Sequence, residues 1–301
     1  MKVLKMSTYI GLIGYPLKHS ISPYFQQAAL DHYRLDIRYE AWETGPAQLQ
    51  AAVHDLRRPQ NVGANVTVPY KEAVLPLLDK VDDLASSIGA VNTIVKRDDR
   101  LLGFNTDAYG FMEALTKEGH IDPEGKKVVM LGAGGVGRAA GFVLVQRRVA
   151  SLAITDGIFE RASALAENLV KPVKETSQSS KELKPKVTAF QWHSLSSART
   201  LDNCDLIVHC TTIGMKDSPQ EGQSPLSLEA IPKGVLVYDV VYNPSPTPLL
   251  RLAQKAGANI LGGLPMLVYQ GAASFKLWTG KEAPIDIMFN KARERLLVGK
   301  G

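Results

Sequence analysis

The sequence predicts an α/β protein of two domains, the second built on a doubly wound parallel sheet. Three observations carry that expectation. Over the first hundred residues short apolar runs alternate with amphipathic segments, the pattern of strands interleaved with helices. Near Asp107 the pattern restarts, and a compact apolar run at 127–131 leads straight into a glycine-rich turn. A chain of 301 residues also exceeds the usual length of one domain.

In the first part, 9–13 reads as a strand, 23–32 as a helix, 38–42 as a strand and 47–56 as a helix. Residues 62–68 alternate apolar and polar side chains and stop at Pro69, a half-buried strand with a hard end. Helical segments follow through Leu78 and Ser87, then strands at 90–95 and 101–104. Interleaving of this kind predicts a mostly parallel sheet covered on both faces. A helix at 108–118 ends at Gly119 and leads to the strand 127–131, the glycine turn and a helix from Arg138. A strand at 152–155, a helix at 158–169 and buried strands at 206–209 and 235–240 complete a second α/β unit. The closing helices, 264–279 and 285–297, either finish that unit or cross back to the first. The expected divisions are 1–107, 108–263 and 264–301, with no internal repeat.

Composition sets the class. The chain is 45% hydrophobic and 22% charged, ordinary for a globular protein with a sizeable core. Its 35 basic and 30 acidic residues give net +5 and a pI near 9.0, which hints at anionic ligands. Part of the excess lies at 171–186, rich in Lys, Ser and Glu and free of aromatics. That stretch reads as a solvated loop, so no nucleic-acid partner is expected. Cys204 and Cys210 flank an apolar run at a spacing that suits neither zinc nor a disulfide framework. They read as buried free thiols of a reducing compartment. The six histidines form no cluster at ligand spacing, so no metal is expected. The apolar run at 9–13 is too short for a signal peptide, and no window approaches a membrane span. A cytoplasmic protein without a membrane partner is the expectation.

The turn Gly132-Ala133-Gly134-Gly135-Val136-Gly137 sits between a predicted strand and a predicted helix, the context that gives a G-x-G-x-x-G pattern its meaning. Gly132 permits the tight turn, Gly134 lets backbone approach a pyrophosphate, and Gly137 permits close helix–strand packing. The helix start beyond offers free N–H groups and partial positive charge to phosphates. This is the fingerprint of a Rossmann-like dinucleotide site. Asp156 closes the next strand, where a carboxylate reads the ribose hydroxyls and repels a 2′-phosphate. It favours NAD, with Arg161 one turn on as a partial offset that leaves NADP possible. Asp156 is also a good helix N-cap, a role that does not exclude the first.

Three segments of the first part carry more polar side chains at strand ends than folding needs. In Gly14-Tyr15-Pro16-Leu17-Lys18-His19-Ser20-Ile21-Ser22-Pro23, hydroxyls at i and i+2 of an extended segment point the same way and suit a carboxylate. Ser22 before Pro23 equally reads as a helix N-cap. In Asn65-Val66-Thr67-Val68-Pro69-Tyr70-Lys71, Asn65 and Thr67 share a strand face and Lys71 falls at the pocket mouth. The third is Gly103-Phe104-Asn105-Thr106-Asp107, with Asn92 on the preceding strand.

Together these segments resemble the shikimate/quinate dehydrogenase family. The resemblance rests on Ser20-Ile21-Ser22-Pro23, the Asn65–Lys71 run, Gly89-Ala90-Val91-Asn92-Thr93, Gly103-Phe104-Asn105-Thr106-Asp107, the glycine turn and Gly263-Leu264-Pro265-Met266-Leu267-Val268-Tyr269-Gln270-Gly271. The matches run in order over nearly the whole chain. The resemblance implies reversible hydride transfer between NAD(P) and a ring hydroxyl of shikimate or quinate, by a monomer or homodimer. It implies Lys71 as acid/base, Asp107 as its partner, and Ser20 and Ser22 on the substrate carboxylate. Thr67, Asn92, Asp107, Tyr242 and Gln270 would hold ring hydroxyls. Gly132, Ala133, Gly134, Gly135 and Val136, with Asp156, Arg161, Val240 and Gly263, would line the cofactor. It also implies that the helices from Leu264 return to the first domain, with a cleft between domains.

The chemistry suits those residues. Oxidising a secondary alcohol requires its proton to leave as hydride departs, and a partly desolvated Lys accepts it. Two departures lean toward NAD and the broader quinate/shikimate branch. Asp156-Gly157-Ile158 replaces the Asn-Arg-Thr/Ser run of NADP users, and Gln26 stands where many members carry His. Two rivals stay open: a two-domain dehydrogenase of methylene-folate or an amino acid, and a non-catalytic sensor of quinate or a dinucleotide.

Overall fold

The computed structural model describes residues 8–171, 185–196 and 201–298. The chain divides into two compact units, Met1–Gly110 with Leu267–Gly301, and Phe111–Met266.

The first unit opens with β1 (Thr8–Gly14), α1 (Ser22–His32), β2 (Ile37–Glu43), α2 (Leu49–Asp55) and β3 (Asn61–Val66). It continues with β4 (Lys80–Val81), α3 (Asp83–Ile88), β5 (Thr93–Arg97), β6 (Arg100–Phe104) and α4 (Asp107–Glu113). The strands form one sheet in the order β2-β1-β3-β5-β6-β4. β1 pairs in parallel with β2 and β3, and β4 with β6, but β5 runs antiparallel to both β3 and β6. Five of the six strands therefore share one direction, so the sheet is mostly parallel, as expected, with β5 as its single reversed strand. β5 and β6 face each other across the two residues Asp98 and Asp99, and a connection that short permits only an antiparallel hairpin. Asp98 takes the positive φ of 53° that the turn requires.

Five consecutive buried residues in β1 mark a strand covered on both faces. Ile13, Val66, Ile94 and Leu101 from the strands meet Leu49 and Val53 of α2, with Leu56 just beyond it, in one core. α3 is bounded as its sequence dictates: Asp82 accepts the Ala85 amide at 2.9 Å, and Gly89 closes the helix at φ 72°.

The second unit contains β7 (Lys127–Leu131), α5 (Gly135–Gln146), β8 (Ser151–Thr155), α6 (Phe159–Val170), β9 (Lys186–Ala189), β10 (Leu206–His209), β11 (Leu236–Asp239), α7 (Pro248–Lys255) and β12 (Asn259–Leu261). All its strand pairs are parallel, in the order β12-β11-β10-β7-β8-β9. Numbered within the unit this is the doubly wound order, which reverses between β7 and β10. Its core joins Val129, Leu131, Ile207 and Val237 to Leu249, Leu250 and Ala253 of α7. α5 begins at Gly135, three residues before the expected start, so the last glycines of the turn lie inside its first turn. The stretch 171–186 falls mostly outside the described residues.

α8 (Leu264–Thr279) and α9 (Ile285–Val298) end the chain. Trp278 Nε1 donates to the Ile94 carbonyl at 2.9 Å, and the Arg295 guanidinium lies 4.5 Å from the Tyr24 ring centre. Among the described residues no helix is long and apolar enough to cross a membrane.

Candidate active site

Lys71 lies five residues beyond β3, on a segment fixed from both sides. The Tyr70 hydroxyl donates to the Thr44 carbonyl at 2.6 Å, and the Val91 amide donates to the Lys71 carbonyl at 2.7 Å. Asp107 is the first residue of α4, where the helix dipole favours a carboxylate. The two side chains meet: Lys71 Nζ donates to Asp107 Oδ2 at 2.7 Å, with 11% and 5% of the side chains exposed. Asn92 completes the group. Its Oδ1 accepts the Thr106 amide at 2.8 Å, which turns Nδ2 toward Asp107 Oδ1 at 3.0 Å and Gln270 Oε1 at 3.2 Å. Four side chains from four places in the sequence thus form one hydrogen-bonded cluster. An ammonium with one proton engaged by a carboxylate keeps two for a substrate, the arrangement of a proton donor or, deprotonated, a base.

Beneath this cluster lies a buried polar layer that sequence patterning did not single out. Asn65 Nδ2 donates to the Asn92 carbonyl at 3.0 Å and to Ser274 Oγ at 3.1 Å. Thr93 Oγ1 lies 2.8 Å from Ser274 Oγ, and Thr106 Oγ1 lies 3.0 Å from it. The Tyr39 hydroxyl donates to Asn65 Oδ1 at 2.8 Å, and burial raises its pKa well above the ordinary phenol value. Asn65 is therefore a buried strut, while Thr67, two residues on, is half-buried with its methyl against Gly14. One signal was available: Ser274 follows Gln270 by one helical turn in an apolar helix, which puts both on one face.

The serine pair departs from expectation. Ile21 has φ −96° and ψ −2°, so the backbone between the serines turns instead of extending. Ser22 is the first residue of α1, Ile21 holds the cap position, and Ser22 is not the N-cap. Pro23 still falls in the first turn, as its missing N–H allows. The Ser22 amide points at Ser20 Oγ, 3.4 Å away, and this local turn keeps the two hydroxyl-bearing residues together. Gln26 is 1% exposed and donates to the Gly271 carbonyl at 2.9 Å, tying α1 to α8 beside Gln270. Tyr242 lies in the second unit, three residues after β11, and is half-buried.

The second unit presents the glycine turn at the end of β7. Gly132 has φ 110°, and a Cβ there would lie 2.9 Å from the Cys210 backbone carbon and from the Thr211 methyl. A Cβ on Gly137 would lie 2.2 Å from the Gly132 carbonyl oxygen, whereas one on Gly134 would meet nothing within 4 Å. Gly134 occupies the cap position of α5 with no side-chain cap, which leaves the first-turn amides without a capping side chain beside the open space at Gly134. This cradle fits a pyrophosphate. Asp156 Oδ2 accepts the Ala133 amide at 2.8 Å and Oδ1 the Ile158 amide at 2.9 Å. Asp156 does not cap α6, whose cap position is Ile158. It braces the glycine turn instead. Arg161 is exposed in the first turn of α6. Val240 and Gly263 adjoin, since a Cβ on Gly263 would lie 2.0 Å from the Val240 carbonyl oxygen. Cys204 and Cys210 are thiols outside any disulfide and half-buried rather than buried, and desolvation pushes the Cys204 thiol up to about 12.

A doubly wound sheet with an open glycine cradle, in one chain with a unit carrying a Lys–Asp pair ringed by amides, defines the class of NAD(P)-dependent dehydrogenases. Comparison with known proteins narrows it. Residues 12–94 match the shikimate dehydrogenase substrate-binding domain, and residues 263–289 match the shikimate 5′-dehydrogenase C-terminal domain. The chain is 40% identical over 288 residues to a shikimate dehydrogenase (NADP(+)) of Methanopyrus kandleri, covering 95% of each chain. The shikimate 5-dehydrogenase of Thermus thermophilus, solved with NADP(H) and shikimate, is 36% identical with TM-score 0.80 over 96% of this chain and 100% of that one. A quinate dehydrogenase of Corynebacterium glutamicum solved with NAD is 31% identical with TM-score 0.82, covering 96% and 99%. The chain belongs to the shikimate dehydrogenase family of NAD(P)-dependent oxidoreductases.

Proposed function

We propose that this enzyme interconverts shikimate and 3-dehydroshikimate, accepts quinate in the same site, and prefers NAD over NADP. The observation that carries the substrate reading is the Lys71–Asp107 pair, shielded from water and joined through Asn92 to Gln270.

In the oxidative direction Lys71 Nζ, as a free amine, accepts the proton of the reacting hydroxyl. Asp107 Oδ2 holds the resulting ammonium, and Asn92 Nδ2 on Oδ1 keeps the carboxylate from rotating. In the reductive direction the ammonium donates to the developing alkoxide. The nicotinamide, when bound, supplies or accepts the hydride. Ser20 and Ser22 donate hydroxyl protons to the substrate carboxylate, and Thr67, Asn92, Gln270 and Tyr242 hold ring hydroxyls. Fixing the ring at several points converts encounter into orientation, which accounts for much of the rate in such transfers. Quinate carries one more hydroxyl on a saturated ring, which a site lined with amides and hydroxyls tolerates.

The residues at the glycine turn fit the dinucleotide: the cradle at Gly134 takes the pyrophosphate, with Val240 and Gly263 along its path. Asp156 supports the preference for NAD. Each of its oxygens keeps one lone pair for a ribose hydroxyl, and a 2′-phosphate there meets like charge. Arg161 on the adjacent turn softens that penalty, so NADP is used less well rather than refused.

A steady-state assay of shikimate and quinate, each with NAD and with NADP at mildly alkaline pH, tests the whole reading. Turnover of both acids with the higher kcat/KM for NAD is expected. Activity confined to NADP would remove the role given to Asp156, and silence in all four combinations would remove the substrate assignment.

A further inference from the structure

Next to the point where the second sheet reverses its order, between β7 and β10, the carboxyl ends of β10 and β11 carry a buried polar chain that the proton chemistry does not use. His209 closes β10 and Asp239 closes β11, directly opposite each other in the parallel register, and both are 0% exposed. His209 Nδ1 lies 2.9 Å from Asp239 Oδ1, and Nε2 lies 2.5 Å from Thr211 Oγ1. Asp239 is fully engaged: Oδ1 also accepts the Val241 amide at 3.0 Å, and Oδ2 accepts the Thr247 hydroxyl at 2.6 Å. The carboxylate thus fixes the imidazole with Nδ1–H toward it, and in the neutral ring Nε2 accepts the Thr211 hydroxyl proton. Thr211 Oγ1 in turn accepts the Ile213 amide at 3.2 Å, which shapes the turn beyond β10.

That turn borders the glycine loop. Cys210 donates its amide to the Leu131 carbonyl at 2.7 Å, and a Cβ on Gly132 would come within 2.9 Å of the Thr211 methyl. Holding two parallel strands together does not require a buried carboxylate and imidazole, since packed apolar residues do so at least as well. A rigid bridge that ends on a half-buried hydroxyl beside the nucleotide crevice is what positioning requires.

We propose that His209 is a positioning residue for the dinucleotide: anchored by Asp239, it holds Thr211 and the turn through Gly214 against the glycine loop, and so sets affinity for either cofactor. The proposal rests on the reading of Gly132–Gly137 as the dinucleotide site. His209→Asn keeps an amide for Asp239 but is too short to reach Thr211. Thr211→Val keeps the shape and removes the hydroxyl.

The experiment measures dissociation constants for NAD and NADP by titration calorimetry on the full chain, with kcat, both KM values and the thermal midpoint. Each variant is expected to raise the dinucleotide Kd and KM by about tenfold, the scale of one lost hydrogen bond. The expected loss leaves kcat at saturating cofactor and shikimate KM much less affected. The double variant is expected to lose no more than either single one, and Thr211→Ser to recover the affinity that Thr211→Val lost. Unchanged Kd in Thr211→Val, or losses that multiply in the double variant, would overturn the proposal. A lowered thermal midpoint with cofactor affinity intact would overturn it too, because the bridge would then serve folding alone. If His209→Asn does not fold, the Thr211→Val and Thr211→Ser pair decides by itself. Gly134→Val separates the underlying reading: if a side chain in that open cradle leaves Kd unchanged, the glycine-loop assignment fails first.

Discussion

At Lys71 the geometry gives a definite expectation for mutagenesis. The ammonium sits 2.7 Å from a carboxylate that is itself held by Asn92 and by the start of α4. Lys71→Ala removes the group proposed to move the proton and leaves the hydroxyl-bearing residues around the ring in place. Turnover is expected to fall by about 10²–10⁴-fold, the usual worth of a positioned acid or base, while shikimate binding persists. A variant that retains near-normal kcat would show that another group moves the proton. Asp156 allows a second test at the same scale. Asp156→Asn keeps one carbonyl oxygen for the Ala133 amide, so the brace on the glycine turn survives, but the charge is gone. The ratio of kcat/KM for NADP to that for NAD is expected to rise by about tenfold, the equivalent of about 1.4 kcal/mol. An unchanged ratio would confine Asp156 to bracing the turn.

Among the elements, the strand-to-helix turns of the second unit are held at backbone contact. Gly137 lies against the Gly132 carbonyl, and Gly263 lies against the Val240 carbonyl where a Cβ would come within 2.0 Å. Neither neighbour is a flexible side chain, so the structure cannot yield locally. Gly263→Ala is expected to cost about 1–3 kcal/mol of stability, the range for overpacking a closed site. It should also raise the dinucleotide KM, because Val240 moves with it. Denaturant unfolding and cofactor titration of the variant check both parts, and a substitution silent in each would mean that the turn relaxes freely. The hairpin of β5 and β6 teaches a different lesson. Its two-residue connection, Asp98-Asp99, was present in the sequence between two apolar runs, yet the prevailing alternation of strands and helices hid it. Short edge elements were hidden for another reason. β4, β9 and β12 have 2, 4 and 3 residues, too few for a period to stand out.

For the whole molecule, sheet position predicts how protection is distributed. β1 and β3 in the first unit and β7 and β10 in the second are paired on both sides, while β2, β4, β9 and β12 are edges. Native-state hydrogen exchange is expected to show amides of β1, β7 and β10 exchanging last and those of β4 and β12 first. Edge amides that outlast the central strands would contradict this sheet order. The polar layer of Asn65, Thr93, Thr106 and Ser274 should share the slow class in the first unit, since each lies within its core at no more than 5% exposure.

Local pattern along the chain was enough to read the α/β class, the approximate position of the long strands and helices, and the glycine turn. Each of these is written in local periodicity or in a motif whose members are neighbours in the chain. The sequence also identified Lys71, Asp107, Asn92 and Gln270, but only as an ordered set of motifs resembling a family. Taken singly, each is a polar residue of a type usually found on a surface. Tertiary structure alone decided that Asn92 reaches Gln270 across 178 residues and that Lys71 reaches Asp107 across 36. It alone set the serines on a turn rather than a strand, and it alone laid His209 opposite Asp239. The reason is physical: a hydrogen bond between side chains far apart in sequence depends on strand register and helix placement, which many distant apolar contacts fix jointly and no local window contains.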